Sequence, residues 1–560
     1  MLGMEAALSD LVRTLLTKRG VETEADVAAF LHPDYELHTH SPFLLQGMDR
    51  AVARVLQAIE KNERIAVYAD FDCDGIPGAS LLSDFLRKVG YSNFEVYLPH
   101  RDREGYGFHI AAIEQLAARD VKLIITVDVG TVARDAVAFS NSKGVDVIVT
   151  DHHEIIGEMP AAFALLNPKL APYPFPHLCG AAVAFKLAQA TLIEGKKRGI
   201  ASFTSVPDGW EKWLLDMVAI ATIADMVPLI GENRVLARFG LQVLRKSQRA
   251  GINALCNALR LRKGELTEDD IGFSIAPRIN AASRMDSPQL ALDLLTTGDR
   301  DQAERLAAQL EKLNTSRKSK VAGMVKQARS HMMRFSETDR VVVLGDPDWK
   351  PSLLGLAANS LMNDRGGVVC LWGRDAEGRI KGSCRSDGAV SLVDLFSNAG
   401  DVFEECGGHK ASGGFTVSHE RVHSLPEALA AAGASVTSSP TTAKREHDVL
   451  ITLSEVSPAL FTEVSRLSPF GTGNPKPVFL VRGVIVTGVT RFGKEKNHVE
   501  LSLECRASGV RCRAFDFFRG PDDFTHTPAP GTEARVLATV EKDTFRGGFA
   551  LRIVDVVAAR

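Results

Sequence analysis

The stretch RIAVYADFDCDG (64–75) decides how the first half of the chain folds: an apolar, β-branched run followed at once by three alternating aspartates. Two further runs repeat the arrangement, KLIITVD (122–128) and DVIVTDHH (146–153). Short apolar runs separated by helical stretches are the pattern of parallel strands covered on both faces. Residues 46–235 are therefore expected to form an α/β domain in which each run delivers an aspartate or histidine at its C-terminal end. That edge is where open parallel sheets build their sites.

Toward the C-terminus, residues 236–338 read as helical, and RDQAERLAAQLEKLNTSRKSKVAGMVKQARSHMMRF (300–335) predicts one long helix without an internal proline. A second α/β pattern runs from RVVVLGD (340–346) through GGVVCLW (366–372) to the glycine-rich ECGGHKASGGF (405–415). ASVTSSPTTAKREHD (434–448) has the composition of a linker. Beyond it GVIVTGVTRF, HVELSLEC, VRCRAFDFF, EARVLATVEKD and FALRIVDVV predict five short strands, the number in an OB-type barrel.

Length and composition are compatible with this plan. A chain of 560 residues is too long for one core and favours about three or four domains. Its apolar fraction of 45% and charged fraction of 24% are those of globular proteins. The start, MLGMEAALSDLVRTLLTKRG, predicts an amphipathic helix without the features of a secretory signal. No apolar run approaches the roughly 18 residues that span a bilayer, and a cytoplasmic location is expected. The eight cysteines are scattered singly, as in a reducing compartment, which argues against structural zinc. A net charge of -3 gives no global attraction to nucleic acid, so any such binding must use local basic surface.

If the chain stayed extended after RIAVYA, Asp70, Asp72 and Asp74 would share one face and demand a cation. DFDCDG begins like an EF-hand loop, but Leu81 stands where that loop has its last glutamate, and the preceding segment is strand-like. A single aspartate after a strand is usually a helix cap, and a lone histidine is usually structural. Here Asp128, and Asp151 with His152 and His153, end two further strands, which weakens those ordinary explanations. Asp225 closes the apolar stretch LLDMVAIATIADMVPL, where an unpaired carboxylate is expensive. Asp216 in the same stretch is a further candidate for the ligand role of Asp225, with a helix-surface or supporting position preferred for it. Aspartates with histidine favour hard cations, Mn²⁺ or Mg²⁺. Two ions about 3.5–4 Å apart suit phosphoryl chemistry.

DFDCDG (70–75), TVDVGT (126–131), TDHH (150–153) and ATIADMVPLIGENR (221–234) together resemble the ordered motifs of the DHH phosphoesterases, the last being especially similar to the RecJ-like branch. The resemblance continues through TKRGVETEADVAAFLHP, PHRDREGYGF, APRINAASRMD, GSCRS, GGHKASGG and SPFGTGNPKPVF. It implies an N-terminal helical segment (1–45), a DHH catalytic domain (46–298), a connecting helix (299–338), a DHH-associated domain (339–434) and an OB-fold for DNA (443–560). By the same similarity Asp72, Asp74, Asp128, His152 and Asp225 are metal ligands, Asp70 and His153 ligate or orient their neighbours, and His153 is counted with the catalytic groups. Arg101, Tyr106, Arg278, Asn280, Arg284, Ser383, Arg385, Gly407, Gly408 and His409 are implied to bind phosphates or DNA. Surface ion pairing is the ordinary role of such arginines, and a tight turn that of such glycines.

Four positions depart from the family pattern. Val129 and Ser283 replace a common asparagine and glycine, and DWKPSLLG (348–355) carries Lys350 and Ser352 where Trp-His-Pro-Gly is usual. In the barrel region Arg491, Lys494, Lys496, Arg511 and Arg513 lie near Phe492, Phe515, Phe517 and Phe518, the cations and rings that single strands need, although alternation assigns at least half the rings to the core.

The function that this resemblance implies is 5′→3′ exonucleolytic hydrolysis of single-stranded DNA to 5′-mononucleotides, in DNA repair and recombination. It further implies a monomer, with a single-stranded-DNA-binding protein and a helicase as partners. A DHH phosphodiesterase acting on short oligonucleotides or nucleotide phosphates is the alternative, but such relatives are generally shorter and lack the barrel. A non-catalytic replication scaffold would have lost the acids retained at 70, 72, 74, 128 and 225. A pyrophosphatase would carry a histidine where Tyr68 stands.

Overall fold

The computed structural model describes residues 8–333, 335–336, 339–436, 447–493, 495–543 and 546–559. Residues 437–446 of the expected linker, and Lys494, lie outside the described residues. The chain divides into two compact units, one of His40–Val227 with Phe239–Thr442, the other of Met1–Thr39, Pro228–Arg238 and Ala443–Arg560.

In the first unit β1 (Arg64–Ala69), β2 (Phe94–Tyr97), β3 (Val121–Val127), β4 (Asp146–Thr150) and β5 (Ala164–Leu166) form a parallel sheet in the order β2-β1-β3-β4-β5. The three runs read from the sequence are its central strands. Side chains alternate between faces: Ala66, Tyr68, Ile124, Val147 and Val149 pack with Phe108, Ile113 and Leu116. On the opposite face the helix Gly75–Lys88 comes so near that a Cβ on Gly78 would lie 2.5 Å from Val127 Cγ1. Burial on both faces explains why these strands are apolar without alternation. Val129, one of the departures, is buried in the same apolar cluster.

A second sheet holds β6 (Val341–Gly345), β7 (Val368–Arg374), β8 (Ile380–Ser386), β9 (Glu405–Gly408) and β10 (Ser412–Val417) in the order β6-β7-β8-β10-β9. Only β6–β7 is parallel. The long helix is Arg300–Met332, capped by Asp299 accepting from Gln302 N. At 33 residues it is about 50 Å long. Its Met324, Val325 and Ala328 enter one core with Leu353, Leu354 and Ala357 of the helix Pro351–Arg365 and Val369 and Leu371 of β7. It is thus a structural part of the second sheet's packing as well as a connector. Cys370 and Cys384, scattered singly along the sequence, stand opposite each other in the β7–β8 register with their sulfurs facing. Strand register, invisible in linear spacing, brings them together.

In the second unit β12 (Phe479–Phe492), β13 (His498–Cys505), β14 (Arg511–Asp516), β15 (Glu533–Lys542) and β16 (Phe549–Ala558) close a five-stranded barrel through β12–β13–β14–β16–β15 and back to β12. β11 (Val449–Thr452) adds to it parallel to β12. The N-terminal helices Asp10–Thr17 and Glu24–Leu31 belong to this unit, with Val12, Leu15, Leu16 and Leu31 packed on Leu467. Helices of eight residues bury too little apolar surface to stand alone. Arg234 joins the parts by donating to Phe30 O (3.0 Å), Leu467 O (2.9 Å) and Ser468 O (3.1 Å). The motif ATIADMVPLIGENR therefore contributes Asp225 to the first unit and a structural arginine to the second. Among the described residues no helix is long and apolar enough to cross a membrane.

Candidate active site

After β1 the chain bends at once, so the extended geometry expected for Asp70, Asp72 and Asp74 does not occur. Asp72 Oδ1 accepts from Asp74 N (2.8 Å) and Gly75 N (3.2 Å), and the helix Gly75–Lys88 begins there. An aspartate that captures backbone amides turns the chain. Asp74 is held from across the domain, accepting from Gly180 N (2.6 Å) and Ala181 N (2.8 Å) at the start of the helix Gly180–Lys197, where an anion is favoured. Gly180 is required for this approach, since a Cβ there would lie 2.6 Å from Asp128 Cβ. Asn280 Oδ1 accepts from Cys73 N (3.0 Å) and so supports this loop. Ser283, another departure, donates to Asn280 O (3.3 Å).

Asp128 follows β3 with φ +62°, a left-handed conformation that a non-glycine residue adopts only when its surroundings impose it. Tyr106 OH donates to Asp128 O (3.2 Å) and lies 3.2 Å from His153 Nδ1. His152 Nε2 is 3.2 Å from Asp128 Oδ1, 3.6 Å from Asp225 Oδ2 and 3.7 Å from Asp74 Oδ2. Asp225 caps the end of the apolar helix Leu215–Ala224. Asp151, to which the motifs assign no role of its own, is buried and accepts from Thr131 N (2.8 Å) and the backbone of His152 (2.8 Å), with His153 Nδ1 at 2.7 Å. It thereby orients the imidazole of His153 and anchors the backbone of His152. Asp216 is buried, not on a helix surface, and pairs with Arg249 (2.8 Å) and Ser247 (2.9 Å) away from this cluster.

Three overlapping sets place their donor atoms within 4.8 Å of one another: Asp128, His152 and His153; Asp74, His152 and Asp225; Asp70, Asp72 and Asp128. Asp70 Oδ1 and Asp128 Oδ1 are buried without a hydrogen-bond partner. Oxygen-rich sets with imidazole fit hard divalent cations, and the two orphaned oxygens fit cation ligation. Burial, then neighbouring carboxylates, raises Asp70, Asp74 and Asp128, Asp74 to about 6, and lifts Asp225 to about 9. Burial lowers His152 to about 4, leaving it neutral as a ligand must be. For His153 the Asp151 hydrogen bond overcomes burial and raises it.

These shifts make the chelated protein sensitive to pH. A carboxyl whose folded pKa lies above its unfolded value of about 3.9 retains its proton in the native state while the unfolded chain has lost it, so stability falls as pH rises toward the folded pKa. With Asp225 at about 9, chelator-treated protein should lose about 2 kcal/mol between pH 7 and pH 9, and Mn²⁺ should raise the melting temperature more at pH 9 than at pH 7. Thermal melts with and without chelator check this; a Mn²⁺ stabilisation independent of pH would contradict it.

The candidate phosphate-binding residues divide. Arg101, with its guanidinium 4.6 Å from the Phe71 ring centroid, Arg284 and Arg385 repel one another and form no ion pair among the described residues. Burial, then this crowding of cations, lowers Arg284 well below its ordinary value. Arg278, by contrast, is paired with Glu311 (2.7 Å) and donates to Ser274 O (3.1 Å), the ordinary structural role. The long helix adds Arg317, absent from the expected set, with its Nε buried and without a hydrogen-bond partner and its charge felt by both Arg278 and Arg284. Its sequence signal is the basic run SRKSK (316–320) inside an otherwise amphipathic helix. On β8, Ser383 and Arg385 share one face, with Arg385 Nη1 donating to Ser383 Oγ (3.0 Å) and Cys384 O (2.7 Å). Together with Gly407, Gly408 and His409 they line a cleft of about 280 Å³. Gly407 and Gly408 lie on the strand β9, not in a turn between helix and strand.

On the barrel, the expected basic surface is largely neutralised. Arg511 pairs with Glu504 (2.8 Å), Arg513 with Glu500 (2.8 Å) and Asp543 (2.5 Å), and Arg491 with Asp522 (3.2 Å). Lys496 lies in the exposed turn after β12. Rings are more prominent: Phe518 is 79% exposed and Phe517 41%, whereas Phe515 is buried. His498 meets Phe518 at 4.8 Å, Phe492 at 5.1 Å and Phe517 at 5.2 Å between ring centroids, and Arg552 lies over Phe517 at 4.3 Å.

Three family models match in chain order: DHH family, N-terminal domain (64–222), DHHA1 domain (338–437) and RecJ OB domain (447–554). The single-stranded-DNA-specific exonuclease RecJ of Haemophilus influenzae is 31% identical over 532 residues, covering 92% of this chain and 91% of that protein. The chain belongs to the RecJ family. The RecJ of Bacillus subtilis is 34% identical over 513 residues, and the match covers 91% of this chain but only 63% of that longer protein. Among solved structures, RecJ of Thermus thermophilus in complex with Mn²⁺ aligns with a TM-score of 0.78 and 26% identity, over 98% of this chain and 77% of that one. Another RecJ bound to manganese aligns with a TM-score of 0.62 and 29% identity, over 73% of this chain and 99% of that one. RecJ-family membership accounts for the parallel sheet, the second sheet and the closed barrel in this order.

Proposed function

We propose that the chain is a metal-dependent exonuclease that hydrolyses single-stranded DNA from its 5′ end and releases 5′-mononucleotides, in DNA repair and recombination. The observation that carries the reading is the meeting of the Asp128 and His152 donor sets with arginines that form no salt bridge among the described residues and feel the acids of the same site. Asp70, Asp72, Asp74, Asp128, His152, His153 and Asp225 would hold two cations, Mn²⁺ or Mg²⁺. When bound, these supply Lewis acidity and neutralise charge that develops on the phosphodiester oxygens.

The chain's own groups do the rest. The backbone amides of Gly180 and Ala181 hold Asp74, and Asp151 holds His153 with a proton at Nδ1. Arg101, Arg284 and Arg317 grip phosphates along the strand, while Ser383 and Arg385 receive the terminal one. Phe517, Phe518 and His498 offer faces for base stacking on the barrel, a binding mode in which the ion-paired arginines are not needed. The reading extends, by family resemblance, to a monomer in the cytoplasm that works with a single-stranded-DNA-binding protein and a helicase.

Digestion of 5′-labelled and 3′-labelled DNA, single-stranded and duplex, with Mn²⁺, Mg²⁺ or chelator tests this. The 5′ label should be released first, as a mononucleotide, from single strands only, and chelator should stop release. Earlier loss of the 3′ label, or equal attack on blunt duplex, would reject the reading.

A further inference from the structure

Three arginines assigned above to phosphates sit on separate elements: Arg101 on the loop 99–108, Arg284 on the helix Ala276–Met285 and Arg385 on β8. They repel one another, so something other than their mutual contacts must hold them. Arg284 and Arg385 meet the start of the helix Pro351–Arg365 directly, and Arg101 is linked to it through its neighbour Asp102. Lys350 Nζ lies 2.9 Å from Asp102 Oδ2, on the residue next to Arg101. Ser352 Oγ donates to Arg284 O (2.9 Å), and Arg284 Nη1 donates back to Ser352 O (2.7 Å). One turn on, Gly355 leaves room for Arg385, since a Cβ there would lie 2.6 Å from Arg385 Nη2.

We propose that Lys350 and Ser352 are positioning residues that lock the phosphate-binding arginines in place from the second sheet's domain, Lys350 through Asp102 and Ser352 through Arg284. This rests on the function proposed above for those arginines.

The chemistry of each contact supports the assignment. The loop 99–108 is tied to its own domain by Tyr97 OH donating to Glu104 Oε1 (2.6 Å), His100 N donating to Glu104 Oε2 (2.6 Å) and Tyr68 OH donating to Gly107 O (2.9 Å). Lys350 supplies its tie to the other domain. It also neutralises Asp102, a carboxylate that would otherwise sit beside Arg101 and oppose an incoming phosphate. Ser352 contributes a donor that glycine lacks, closing a reciprocal pair with Arg284 where glycine could provide only the backbone half. These are the two positions at which DWKPSLLG departs from Trp-His-Pro-Gly, so the lock is a property of this chain's own residues.

The test uses the full chain with Mn²⁺ on single-stranded DNA. Lys350→Met, Asp102→Asn and Ser352→Gly should each raise KM roughly three- to tenfold with kcat within about twofold, because arginine placement is weakened and the reacting groups are untouched. The exchange Lys350→Asp with Asp102→Lys should return KM to within about twofold of the parent, a rescue that lost folding would not give. Amide hydrogen exchange of the peptide 98–107, read without any substrate, should be faster in Lys350→Met and restored in the exchanged pair. Unchanged KM and unchanged exchange in Lys350→Met and Asp102→Asn, or an exchanged pair no better than the single variants, would overturn the proposal. If the parent chain releases no nucleotides, the functional reading fails, and the exchange measurement still decides whether the lock exists.

Discussion

Replacing Asp128 with alanine should lower kcat/KM on single-stranded DNA by on the order of 10³-fold or more, with no recovery at saturating Mn²⁺. Asp128 belongs to two of the three donor sets, and its Oδ1 is buried with no hydrogen-bond partner, so both sets lose a ligand at once. The backbone geometry survives, because Asp128 N donates to Thr150 O (2.9 Å) and its carbonyl accepts from Tyr106, contacts that alanine keeps. The residue's positive φ costs alanine some strain. That is offset by removal of a carboxyl that burial already opposes. DNA affinity, carried by the arginines, should change only a few-fold in a fluorescence anisotropy titration. Turnover near that of the parent with saturating Mn²⁺ would remove Asp128 from the metal centre.

Replacing Arg385 with alanine should cost activity on 5′-phosphorylated strands roughly ten- to a hundredfold, as loss of about 1.5–3 kcal/mol of charged hydrogen bonding requires, and far less on 5′-hydroxyl strands. Two cations act alike whichever end enters, so the choice of end needs a group that recognises it. A terminal phosphate carries more charge than an internal phosphodiester and offers oxygens for a guanidinium fork. Arg385 is available to bind one, because among the described residues it has no carboxylate partner, its Nη1 is braced by Ser383 Oγ and Cys384 O, and Gly355 leaves space beneath it. Comparing kcat/KM for both kinds of end in parent and variant is the measurement, and an equal loss on the two would reject the clamp.

The parallel sheet and most of the candidate ligands at its edge are legible in the sequence. Central strands buried on both faces must be apolar throughout, so RIAVYA, LIITV and VIVT announce themselves, and the acids and histidines one to five residues beyond them mark the functional edge. Ser383 and Arg385 were legible for the same reason, since period two on a strand puts them on one face. The barrel's strand count followed from local alternation. Pairings between residues far apart in the chain emerge only once it is folded. Asp74 depends on backbone amides at Gly180 and Ala181, and Arg278 pairs with Glu311 while Arg284 forms no salt bridge among the described residues. The barrel arginines likewise find glutamates on neighbouring strands, Arg511 with Glu504 and Arg513 with Glu500. Arg317 enters the basic group, Cys370 meets Cys384 across a strand pair, and the first helices share a core with Leu467. Periodicity is a local property carried by neighbours in the chain. Whether a charge is neutralised depends on what approaches within a few ångströms in space, which composition and spacing do not encode.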